Sequence, residues 1–327
     1  MRVGIVGAGA IGCYIGGKLL AANAADVTLV GRPRVRDELA SHGLHIEDVA
    51  GEPTAIAPAR VVVATELSAV TGCDVILCCV KSGQTAEVAC ELASVVAPAA
   101  VVVSLQNGMR NADVLRAELP GNSVSAGIVS FNVRAREGGV FRRSTSGALM
   151  IERIDAVKPI ADVLSRAGLD VVLQRELVRH QWTKLLVNLN NAVSALSDAP
   201  TRQLLLSPGY RKVIAAIVRE ALAVLRAAAI KPAALRGVPV GWMPFVLSLP
   251  TPIVRLVTRS QMKVDPDARS SMWEDLARNR PTEIDYLNGE IVRLAEQHGR
   301  DAPLNRRMVE LVHAAEGRGS PALAPDA

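Results

Sequence analysis

Residues 2–12 read RVGIVGAGAIG, and the placing of their glycines decides the fold. Arg2 to Val6 is a short β-branched run, and the apolar residues after it repeat at the helical period to about Leu20. Between them Gly7-Ala8-Gly9-Ala10-Ile11-Gly12 supplies GxGxxG. Gly7 permits the tight turn, Gly9 lets backbone approach a pyrophosphate, and Gly12 lets the helix lie on the strand. By itself the pattern is weak. A strand directly before it and a helix directly after make it a dinucleotide-binding βα unit.

Outward from that unit, DVTLV (26–30), ARVVVAT (59–65), DVILCCV (74–80), AVVVSLQ (100–106) and SVSAGIVS (123–130) read as strands. Amphipathic helices at 85–96 and 111–119 lie between some of them. Strand and helix in alternation imply α/β architecture, a Rossmann-type doubly wound parallel sheet covered on both faces. VFRRS, ALMIER and DVVLQ add later strands. Beyond about Arg175 every periodic stretch is helical, so an all-helical carboxyl-terminal domain is expected. The expected division is 1–174, 175–316 and a frayed tail, 317–327.

Composition narrows the function. Half of the 327 residues are hydrophobic, so two cores can be built, and at 3% aromatics they must be aliphatic. The net charge of +5 comes from cations scattered among acids, without a basic block or interleaved aromatics, which argues against nucleic acid. Six glycines between Gly4 and Gly17 break the first apolar run, and Pro244, Pro250 and Pro252 break the run after 240, so no membrane partner is expected. The five cysteines lack metal spacing and read as small buried hydrophobes of a reducing cytoplasm. No metal is expected.

The second strand bears on the cofactor. A site for NAD usually ends it with an acid about 20 residues on. Here Arg32 stands there, with Arg34 near, and a guanidinium suits a 2′-phosphate, favouring NADP(H). A solvated surface arginine is the bland alternative. Lys81 and Asn107 follow the fourth and fifth strand runs, where such sheets bind ligands. Asn107 before Gly108 also suits a plain turn.

In the helical half, QWTKLLVNLNN (181–191) sets Lys184 among leucines, with Asn188 and Asn191 on its face if one helix runs through. That is a solvated stripe or a pocket floor. Thr282 with Asp285 three on resembles a capping box, predicting a helix that starts at Thr282 with Glu283 as a first-turn acid.

GAGAIG, the GR after the second strand, CCVKSGQT, SLQNGMRN, WTKLLVNLNNAVSAL and SSMWEDLARNRPTEIDYLNGEIV together resemble the ketopantoate reductase (2-dehydropantoate 2-reductase) family, in its order over nearly the whole chain. The resemblance implies NADPH on the first domain and reduction of a 2-oxo acid where the second faces it. It makes Lys184 the catalytic lysine and assigns substrate contacts to Asn188, Asn191 and Ser271. It further implies that Glu283 lies near both nicotinamide and substrate, that Asn107 lies at their junction, and that the loop near Val133 approaches the cofactor. Asn190 competes with Asn191, and Arg142 and Arg143 stand where the family often has histidine. A long segment, 235–265, precedes the serine motif. A different 2-oxo acid or an imine is the alternative substrate. A sensor that binds NADP(H) without turnover is the alternative class, although it would not need both Lys184 and Glu283. A homodimer is one assembly open to the chain.

Overall fold

The computed structural model describes residues 1–235, 237–257 and 269–317. The expected frayed tail, apart from Gly317, and positions 236 and 258–265 of the long segment before the serine motif lie outside the described residues. Two compact units divide at Met1–Leu177 and Val178–Ala327.

The first unit holds β1 (Arg2–Val6), β2 (Asp26–Val30), β3 (Leu44–Glu47), β4 (Thr54–Ile56), β5 (Val62–Ala64) and β6 (Val75–Cys78). β7 (Val101–Ser104), β8 (Ser123–Val129), β9 (Val133–Arg136), β10 (Val140–Arg143), β11 (Leu149–Glu152) and β12 (Val171–Gln174) follow. Eight of them form one sheet in the order β12-β11-β8-β7-β6-β1-β2-β5. β2 pairs on one side of β1 and β6 on the other, all parallel. The order therefore reverses at β1, and the crevice at its carboxyl end is where the glycine loop starts.

The doubly wound sheet is parallel except at one pair. β11 runs antiparallel to β8. A parallel return needs a crossover, usually a helix, whereas the chain between these strands makes β9 and β10 instead. Those two join β3 and β4 in a second sheet of order β4-β3-β10-β9.

Two aliphatic cores flank the large sheet. One gathers Ile5, Tyr14, Leu29, Leu44, Phe131 and Ile151, the other Val6, Ile76, Leu92 and Leu115. All five cysteines are free. Cys13, Cys73 and Cys78 are buried, but Cys79 is half-buried and Cys90 is exposed, so the reading of all five as buried hydrophobes fails at those two. Cys90 falls on the outward face of helix Thr85–Val95, whose buried positions are Thr85, Ala89 and Leu92.

The second unit is helical. Helix Leu177–Asn188 enters it, followed by Asn190–Ser197, Thr201–Leu206 and Pro208–Ala227. Shorter helices Met243–Ser248, Thr251–Val257 and Ser271–Ala277 precede Asn288–Gln297 and Pro303–Ala315. Among the described residues no helix is long and apolar enough to cross a membrane.

Candidate functional site

The glycines of the first loop separate by what surrounds them. Gly7 has φ +104°, and a Cβ on it would lie 2.6 Å from the Cys79 carbonyl carbon. A Cβ on Gly12 would lie 2.3 Å from the Gly7 carbonyl oxygen. Both are required by packing. A Cβ on Gly9 would meet nothing within 4 Å, so its absence leaves a clear approach to the backbone. The amides of Gly7 and Ala8 both donate to the Val30 carbonyl, at 3.0 and 2.8 Å, and Gly9 donates to Gly7. Ala8 therefore ties β1 to β2. The amides left for an anion are those of Ala10, Ile11 and Gly12, in the first turn of helix Ala10–Ala21 where no intrahelical acceptor exists.

Arg32 is exposed just past β2 and precedes helix Pro33–His42, with Arg34 exposed in its first turn. Lys81, half-buried, ends the chain leaving β6. Asn107 follows β7, with Gly108 at φ +89° completing the turn. Its carbonyl accepts from Ser82 Oγ at 3.0 Å and also from Asn111 Nδ2.

A buried polar set behind these two strand ends escaped the sequence reading. Ser104 Oγ donates to Gln106 Oε1 (3.0 Å), Gln106 Nε2 to Thr85 Oγ1 (2.6 Å), and Thr85 Oγ1 to Asn111 Oδ1 (2.8 Å). Four uncharged polar residues next to apolar strands were the available signal. They fix the Lys81 and Asn107 turns to each other.

Val133 opens β9, opposite Arg143 in the register. The expected loop there is a strand at the edge of the second sheet. Gly9, Arg32, Lys81 and Asn107 all lie at carboxyl ends of strands of the large sheet. An open Gly9 and free first-turn amides together fit the pyrophosphate of a dinucleotide.

In the second unit Lys184 is half-buried on helix Leu177–Asn188, with Trp182, Thr183, Leu185 and Leu186 buried around it. Thr183 Oγ1 donates to the Ala233 carbonyl at 2.6 Å and fixes the helix rotation. Removal of the ammonium from water pushes its pKa down to about 8, and the negative charge of Glu283 pulls it partly back. Glu283 is buried, at 6% exposure. Lysine and carboxylate thus act on each other inside one unit.

The stripe of Lys184, Asn188 and Asn191 does not run on one helix. The first helix ends at Asn188, and Leu189 (φ −59°, ψ −21°) separates it from helix Asn190–Ser197. One contact places Asn191: its carbonyl accepts from Ser270 Oγ at 3.2 Å. Ser270 Oγ also accepts from the Trp273 amide at 3.1 Å, capping helix Ser271–Ala277. Ser271 follows directly and is exposed. The indole of Trp273 donates to Asp198 Oδ1 at 2.6 Å, whereas Trp242 is 60% exposed.

The expected helix at Thr282 is a three-residue 3₁₀ turn, Ile284–Tyr286, and the α-helix starts only at Asn288. The Thr282 amide donates to Glu316 Oε1 at 2.9 Å, and Thr282 Oγ1 accepts from the Ile284 amide at 3.3 Å. Glu283 stands before that short turn, so the macrodipole of a long helix does not account for it. Among the described residues no group of three His, Cys, Asp or Glu side chains could hold a metal.

The family described as Ketopantoate reductase PanE/ApbA matches residues 3–156, and its carboxyl-terminal counterpart matches residues 176–316. A 2-dehydropantoate 2-reductase of Halobacterium salinarum is 31% identical, over 98% of this chain and 100% of that protein. One from Pyrococcus horikoshii is 28% identical, over 98% and 99%. A crystal structure of a PanE/ApbA family ketopantoate reductase from Ralstonia eutropha JMP134 superposes with a TM-score of 0.82 at 33% identity, covering 97% of this chain and 98% of that one. A D-mandelate dehydrogenase with NADH and anilino(oxo)acetate superposes at 0.80, with 24% identity and coverage of 97% and 98%. That last likeness is one of fold alone.

Proposed function

Because the chain belongs to the ketopantoate reductase family, we propose that it reduces 2-dehydropantoate to pantoate at the expense of NADPH. The observation that carries this reading is the pair Lys184 and Glu283, a desolvated ammonium near pKa 8 under the field of a buried carboxylate. When bound, the reduced nicotinamide supplies a hydride to the ketone carbon.

The chain's own residues do the rest. As the carbonyl π pair moves to oxygen, the Lys184 ammonium stabilises the growing negative charge and delivers its proton to give the alcohol. Such donors lower barriers by about 3–4 kcal/mol. Asn188, Asn191 and the Ser271 hydroxyl orient the carboxylate and hydroxyl of the substrate without adding charge. Glu283 keeps Lys184 protonated and bears on both cofactor and substrate. Ala10, Ile11 and Gly12 amides receive the pyrophosphate, with Lys81 and Asn107 beside it and Val133 nearby. Arg32 meets the 2′-phosphate. The residues proposed for the cofactor belong to the first unit, and Lys184, Ser271 and Glu283 to the second.

Loss of reduced-nicotinamide absorbance with 2-dehydropantoate, compared with a panel of other 2-oxo acids, tests the substrate. A higher kcat/KM for another acid would replace it. NADPH should be preferred over NADH, and Arg32→Ala should narrow the gap. Equal kcat/KM with both cofactors in the unaltered protein would remove the phosphate role.

A further inference from the structure

The turn that carries Glu283 is tied to the last helix through a histidine. His313, on helix Pro303–Ala315, lies between two carboxylates. Its Nε2 is 2.9 Å from Asp285 Oδ1 and its Nδ1 is 2.9 Å from Glu316 Oε2. The other oxygen of Glu316, Oε1, accepts from the Thr282 amide. Thr282 and Asp285 bracket Glu283 in the chain. One imidazole therefore secures the backbone on both sides of the carboxylate that acts on Lys184.

We propose that His313, as an imidazolium donating to Asp285 and Glu316 at once, is the positioning residue for Glu283, holding its turn so that the carboxylate stays beside Lys184. The inference rests on the reading that Lys184 and Glu283 carry the reduction.

The chemistry of the ring gives the tie a pH dependence. An imidazolium has two N–H donors and serves both carboxylates. Neutral imidazole has one donor and one lone pair, and a lone pair facing a carboxylate repels it. Losing the proton therefore breaks one of the two ties. The hydrogen bond to Glu316 raises the histidine's pKa above its ordinary value, burial opposes the rise, and Asp285 adds to it. Asp285 faces the ring from the turn and Glu316 from the end of its own helix. Helices Asn288–Gln297, Asn190–Ser197 and Pro208–Ala227, which pack on the same helix, add no charge to that shift. The sign follows: the tie is complete below the ordinary histidine pKa and is lost as pH rises through the raised one. Once it is lost, Glu283 holds the proton on Lys184 less firmly.

The test compares the full-length protein with His313→Gln and His313→Lys. Two measurements are made between about pH 6 and 9, the range in which histidine changes charge. One is kcat/KM for NADPH-dependent reduction of 2-dehydropantoate, and the other is amide hydrogen exchange at Ile284–Tyr286 without substrate. His313→Gln should lower kcat/KM about tenfold at the acid end and remove the lower of two alkaline inflections. His313→Lys, which keeps a cation, should restore the rate and move that inflection upward. Exchange at the turn should speed up with pH beyond the intrinsic rate in the unaltered protein, be fast throughout in His313→Gln, and be slow in His313→Lys. A pH profile of His313→Gln that parallels the unaltered protein's would overturn the proposal, as would turn protection that is the same in all three proteins. If the exchange pattern appears but 2-dehydropantoate is not reduced, the tie stands and the substrate reading fails.

Discussion

A lysine that releases its proton at about 8 is a usable acid at neutral pH and a poor one soon above it. In the proposed reaction kcat/KM should therefore fall as pH rises through about 8, and a flat profile to pH 9.5 or so would remove Lys184 as the acid. Lys184→Ala should lower kcat by about a hundredfold or more. The same residue makes a stability prediction. In the unfolded chain lysine keeps its proton to about 10.5, so below about 8 the folded state carries an ammonium it has desolvated, and that penalty fades as pH rises between the two values. Lys184→Met, which retains the length and drops the charge, should stabilise the protein by about 1–3 kcal/mol at pH 7 while abolishing turnover. Urea unfolding would read it, and a less stable variant would contradict it. The sequence displayed Lys184 plainly, as one charge in a leucine run. It could not display the depressed pKa, which comes from burial of the ammonium in the fold, with the distant Glu283 acting against it.

At the scale of elements, the glycine loop separates fold from ligand. Gly12→Ala forces a Cβ against a backbone oxygen and should cost roughly 2 kcal/mol or more of stability. Gly9→Ala meets open space, so it should melt like the unaltered protein yet bind NADPH at least about tenfold more weakly, because the new methyl stands where the pyrophosphate must come. Calorimetry for both, with NADPH titration, distinguishes them, and equal affinity in Gly9→Ala would return that glycine to a turn. Glu283→Gln should fold normally and lose an order of magnitude or so in kcat/KM. An unchanged value would leave the carboxylate without a catalytic part. β1, β2 and β6 to β8 were legible because their runs are long and β-branched. β3, β4 and β9 were not, since LHIE, TAI and VRAR are short and polar-interrupted and gain their order from pairing within the second sheet, β3 with β4 and β10, and β9 with β10. The break at Leu189 was also hidden. Its backbone stays near helical values, so the apolar period of LLVNLNNAV continues across it.

At the scale of the whole molecule, the residues proposed for the cofactor and those proposed for the substrate fall in different units. The glycine loop, Arg32, Lys81 and Asn107 belong to Met1–Leu177, and Lys184, Ser271 and Glu283 to Val178–Ala327. Lys184→Ala should consequently leave the equilibrium affinity for NADPH within about twofold, whereas Gly9→Ala changes it. Equilibrium titration checks both, and a large loss in Lys184→Ala would mean that the lysine holds the cofactor as well. What remained illegible at this scale is long-range pairing: nothing near His313 in the sequence announces Asp285.

The chain's three tryptophans, Trp182, Trp242 and Trp273, all fall in the second unit, two of them within two residues of Lys184 and Ser271. Indole emission overlaps the absorbance of reduced nicotinamide, and oxidised nicotinamide absorbs none of it. Reduced cofactor close enough to an indole would drain its light by resonance energy transfer, and turnover would restore the emission. Oxidation of the cofactor can thus be sought in the protein's own emission, with no label attached.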